Sequence, residues 1–107
     1  MSNHDPYIVF KVDDEIHFSC YCRFIQKFEF YQVDNKLALH ISGDGISSSI
    51  PILYHPEPPV KHKHAPRWQE KFLHFLIKEI SKGKHRDYLE IDVDAISKDI
   101  FEQENGH

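Results

Sequence analysis

His62 and His64 stand two residues apart in a segment that also holds His55 and four of the six prolines (Pro56, Pro58, Pro59, Pro66). Histidine is the side chain best suited to ligate a transition metal or to move a proton near neutral pH. Nine histidines in 107 residues make such chemistry worth asking for. An extended loop would let His62 and His64 reach one ion, but a zinc site needs three or four protein ligands. No Cys-x-x-Cys or His-Glu-x-x-His spacing supplies the rest. His17 lies close in sequence to Cys20 and Cys22, yet strand alternation would turn it to the face opposite the two thiols. A metal-free ribonuclease pair with His62 or His64 as general base has its ingredients but no distinctive spacing. Gly43-Asp44-Gly45 followed by serines imitates a phosphate loop, and a hairpin turn accounts for it better. We therefore expect no catalytic residue, no metal site and no cofactor.

Charge is the stronger signal. The formal net charge of −4 divides into −4 for residues 1–60, +6 for residues 61–86 and −6 for residues 87–107. Lys61, Lys63, Arg67, Lys71, Lys78, Lys82, Lys84 and Arg86 make the basic island, and Asp87, Glu90, Asp92, Asp94 and Asp99 lead the acidic segment after it. A basic island suits an anionic ligand such as nucleic acid, whereas an acidic patch suits a basic protein surface. If the two segments meet in the fold, they balance one another instead.

The elements that must position these charges follow from periodicity. Tyr7 to Val12 is a short apolar run closed by the acidic turn Asp13-Asp14-Glu15. Ile16, Phe18, Cys20, Cys22 and Phe24 then alternate with polar residues, the pattern of a half-buried strand. Continued to Val33 that strand would be too long, so a bend, bulge or break is expected near Ile25 to Lys27. Val33-Asp34-Asn35-Lys36 reads as a turn, and Leu37, Leu39 and Ile41 as the returning strand. Ile46 to Tyr54 alternates again, with Pro51 favouring an edge position.

Residues 55–66 form a Pro- and His-rich surface loop. Trp68, Phe72, Leu73, Leu76, Ile77 and Ile80 predict one apolar stripe of an amphipathic helix, with Phe75 at its margin and Gly83 as its C-terminal cap. Tyr88 to Val93 predicts a further strand, and Asp94 a cap for a short helix through Phe101, with residues 102–107 as a frayed tail. The expected class is a single α+β domain. It holds an antiparallel meander of four to five strands, a main amphipathic helix, one more strand and a short C-terminal helix.

No run of about 20 apolar residues is present, and the N-terminal residues lack the basic and apolar regions of a signal peptide. The expected location is the cytoplasm, where Cys20 and Cys22 stay reduced. Without a catalytic motif, the expected function is that of a small protein-binding module. Tyr88 and the five acids named above are its contact candidates. An inhibitor or immunity-type protein that neutralises a toxin or nuclease would fit, a likeness of size and acidity only. The alternatives are nucleic-acid binding through residues 61–86 and an accessory role in a larger complex.

Overall fold

The computed structural model describes residues 5–33, 36–53 and 65–105. The chain runs β1 (Tyr7–Val12), β2 (Glu15–Tyr21), a 3-10 turn (Cys22–Phe24), β3 (Ile25–Val33), β4 (Lys36–Gly43), β5 (Ile46–Ile52), α1 (Ala65–Lys82), β6 (Tyr88–Asp92) and α2 (Val93–Asn105). This is the expected α+β order. Asp34, Asn35 and the loop residues 55–64, including His55, His62, His64, Lys61 and Lys63, lie outside the described residues. No described helix is long and apolar enough to cross a membrane.

The long alternating stretch does not stay in one sheet. It breaks at Cys22–Phe24, and Gln26, the one polar residue in the continuing pattern, is the extra residue of a bulge between Ile25 and Lys27. The break divides the strands into two three-stranded sheets, β2-β1-β6 and β3-β4-β5. Asp44 N–H donates to the Phe24 carbonyl at 3.0 Å, and a Cβ on Gly43 would overlap that same carbonyl. Gly43 is therefore required where the second sheet approaches the break. β5, with Pro51, is an edge strand as its composition implied.

A second bulge changes the expected facing of β2. Phe10 pairs with Phe18, but Lys11 pairs with Ile16, so His17 is passed over. One extra residue reverses the alternation. Ile16, expected beside Phe18 in the core, is instead 62% exposed. The turn before it has Asp13 at φ 53° and Asp14 at φ 63°, the double left-handed geometry of a two-residue hairpin.

α1 lays Trp68, Phe72, Leu76 and Ile80 into the core, where Phe30 meets Trp68 and Phe72 edge-on at 6.0 and 5.4 Å. Each such side chain contributes roughly 1.5–3 kcal/mol when fully buried. The stripe is rotated from its expected centre: Leu73 and Phe75 are half-buried, and Ile77 is 54% exposed. Residues 72, 76 and 80 follow the strict i, i+4 row, and Ile77 lies one residue beyond it. Gly83 is not a left-handed cap, since only Gly45 among the described glycines has positive φ. Its role is steric, because a Cβ there would stand 2.5 Å from Leu89 Cδ1.

The end of the chain also differs in detail. The strand stops at Asp92, and Val93 is buried as the first residue of α2. Asp92 caps that helix by accepting Ala95 N–H at 3.2 Å, so Asp94 is not the cap. The helix continues to Asn105, beyond the expected limit at Phe101. Its bond ladder extends through residues expected to fray.

Candidate interaction surface

β1 is the middle strand of its sheet, antiparallel to β2 and parallel to β6. Its even residues, Ile8, Phe10 and Val12, are in the core; its odd residues face the other way. Pairing across the sheet then fixes what stands beside each odd residue. Tyr7 has Tyr21 on one side and Tyr88 on the other, giving a row of three tyrosines across three strands. The next row is Ser19, Val9 and Glu90, and the third is Ile16, Lys11 and Asp92.

Contacts within this face hold it in shape. The Tyr7 and Tyr21 rings meet edge-to-face at 5.0 Å, and the Tyr7 and Ser19 hydroxyls are 2.8 Å apart. Arg23 pairs with Asp5 at 3.0 Å and lies over the Tyr21 ring at 5.1 Å. Tyr88 donates its hydroxyl proton to Glu90 at 3.1 Å, and Lys11 meets the same carboxylate at 3.5 Å. Desolvation first, then the Glu90 carboxylate, raise the Tyr88 phenol above the ordinary tyrosine value. Val9 is 3% exposed yet lies outside the main core cluster, so it is covered by the side chains of its own face. Tyr21 and Tyr88 remain 44% and 50% exposed.

The expected acidic contacts separate into two groups. Asp87, Tyr88, Glu90, Asp92 and Asp99 are exposed. Asp94 is not: it is 8% exposed, and its Oδ2 accepts the Asp13 N–H at 2.7 Å. It belongs to the architecture of the turn. Asp13, Asp14, Asp92, Asp94 and Lys98 line a cleft of about 200 Å³, in which Asp94 Oδ1 has no hydrogen-bond partner. Among the described residues no three His, Cys, Asp or Glu side chains are arranged to hold a metal ion.

The basic island is dispersed by the fold. Lys78 and Lys82 share the wall of a groove of about 320 Å³ with Glu79, and Glu90, Asp92 and Asp99 line the same groove. The basic and acidic segments therefore do meet in space. Lys84 lines a separate cleft with Cys22 and Ile77. Lys71 is half-buried and Arg86 exposed, and the Arg67 side chain lies outside the described residues.

Sequence reasoning named Tyr88 as a contact but did not place Tyr7, Val9, Ser19, Ile16 and Tyr21 on its face. Their common face depends on pairing residues 81 apart and on a bulge, neither of which local periodicity carries. The outer face of the second sheet offers a comparison. There His40 sits between Ser49 (Nδ1 to Oγ, 3.0 Å) and Ser47 (Nε2 to Oγ, 3.2 Å), with the Tyr31 ring tilted against it at 4.9 Å and 45% exposed.

No family model, no curated protein and no solved structure matches this chain.

Proposed function

We propose that the chain is a protein-binding module whose tyrosine face on β2-β1-β6 docks against a basic surface of another protein. The observation that carries this reading is the row Tyr21, Tyr7 and Tyr88, flanked by Glu90 and Asp92. Tyrosine brings large contact area and a polar tip for little conformational entropy, and it is enriched at interface hot spots. The buried Val9 in the adjoining row and the Tyr7–Ser19 contact make the face pre-ordered, which lowers the entropy lost on docking. Surrounding carboxylates steer a basic partner and disfavour an acidic one. An inhibitor that covers the active site of a nuclease or toxin would use this chemistry, and so would an accessory subunit. The cytoplasm fits two unpaired thiols and belongs to the same proposal.

The alternative of nucleic-acid binding has less support. Exposed aromatics on a sheet can stack bases, but such platforms are set in basic surroundings. Here the tyrosine row adjoins Glu90 and Asp92, while Lys78 and Lys82 share a groove with four carboxylates.

Site-specific photo-crosslinking tests the proposal. A crosslinker placed at Tyr21 or Tyr88 should trap one defined protein in the native cell, and one at Tyr31, equally exposed on the other sheet, should not. Trapping from position 31 alone, or from none of the three, would refute it.

A further inference from the structure

The hydrogen-bond phase of β6 turns one side of that strand away from its sheet. Tyr7 N–H donates to the Asp87 carbonyl at 2.9 Å. In a parallel pair this phase directs the backbone groups of residues 87, 89 and 91 toward β1 and those of Tyr88, Glu90 and Asp92 away from it. β6 is the edge of its sheet. The groove lined by Glu90, Ile91 and Asp92 includes α1 and α2 residues and none from β1, so it lies on that outward side. An edge strand with outward N–H and C=O groups is a template for another strand.

We infer that the free edge of β6 accepts an extended segment of a partner protein, one in which basic and apolar residues alternate. This rests on the protein-binding reading above and specifies its mode. The chemistry follows from the two faces of the strand. On the outer face an added strand would stand beside Tyr88, Glu90 and Asp92, which favours Lys or Arg there. On the inner side it would stand beside Leu89 and Ile91, with Phe75 and Ile96 lining the groove, which favours aliphatic side chains. A second copy of this chain is disfavoured as occupant. Antiparallel pairing of β6 with itself would bring Glu90 and Asp92 opposite like charges. The same acids that bar self-association select a basic strand.

The test uses the full chain and a defined probe, the capped peptide Lys-Val-Lys-Val-Lys-Val, followed by amide NMR and hydrogen exchange. Binding should shift and protect the Tyr88, Glu90 and Asp92 amides, while the Leu89 and Ile91 amides are protected already. N-methylation of alternate peptide amides should abolish binding in one phase and leave it in the other. The block peptide Lys-Lys-Lys-Val-Val-Val, of equal composition, should bind more weakly. Glu90→Lys should weaken binding by roughly three- to tenfold, with an unchanged amide spectrum outside β1 and β6 showing that it folds. Shifts at Tyr7 and Tyr21 without edge protection, or indifference to N-methylation in both phases, would overturn strand addition and leave the tyrosine face standing. No binding at millimolar peptide would also overturn it, and the crosslinking result would stand apart.

Discussion

Asp94 Oδ2 accepts the backbone N–H of Asp13 at 2.7 Å, joining the first turn of α2 to the β1–β2 hairpin across 81 residues. The acceptor holds a turn in which both central residues adopt positive φ. Such geometry costs L-residues roughly 1–2 kcal/mol each, less for Asp and Asn. Asp94→Ala should therefore destabilise the protein by about 1–3 kcal/mol, because a part-buried N–H loses its partner. Asp14→Gly should stabilise it by about 0.5–1 kcal/mol by relieving the backbone. Urea unfolding of both variants measures the two effects, and equal losses would contradict this account of the turn.

Gly83 should tolerate alanine poorly for a reason specific to Leu89. With no positive φ to relieve, the cost is the overlap with the Leu89 methyls at 2.5 and 2.9 Å, expected at about 1–3 kcal/mol. Gly83→Ala combined with Leu89→Ala should lose less than the sum of the single changes. Additive losses in the double-mutant cycle would place the penalty in the backbone instead.

Neighbouring residues on α1 should respond very differently. Leu76 is fully buried and Ile77 is 54% exposed. Leu76→Ala should cost roughly 2–5 kcal/mol, while Ile77→Ser should stay within about 0.5 kcal/mol. Similar losses at both positions in thermal unfolding would mean that the helix is rotated from the orientation described.

Both thiols should be slow to react and should weaken the fold at alkaline pH. Burial raises the Cys20 pKa, helped by repulsion from Cys22 and Asp5; burial also raises that of Cys22, with Lys84 opposing it. A raised folded-state value means that the native state favours the neutral thiol. Its contribution is therefore complete below the unfolded thiol value of about 8.5 and is lost as pH rises from there through the folded values. Alkylation near pH 7 should be slower than for an unstructured cysteine, with Cys22 reacting before the more buried Cys20. Peptide-resolved labelling that finds Cys20 first would contradict this.

Much of this fold was legible in single residues. The i, i+4 row Trp68, Phe72, Leu76 and Ile80 located the main helix, and Pro51 marked the edge strand. Gln26 signalled an interruption by breaking an apolar alternation. What escaped were properties of two distant segments together. The bulge opposite Lys11 that turns Ile16 outward leaves alternation in the sequence intact. Asp92 and Asp94 are equivalent as caps by residue type; the geometry of a hairpin 81 residues away decides that Asp94 is used elsewhere. The tyrosine row was illegible for the same reason, since it exists only when β1 lies between β2 and β6.

The place of β1 governs when the tyrosine row can assemble during synthesis. β2 can pair with β1 as soon as both have left the ribosome, but β6 cannot join until about seventy further residues have been made. Until then the nascent chain carries Tyr7 beside an open neighbouring position, with Val9 stripped of one of its flanks. A late-arriving strand thus completes the tyrosine row and closes the first sheet in one step. A product truncated before β6 would keep Tyr7 beside Tyr21 but lack Tyr88, Glu90 and Asp92.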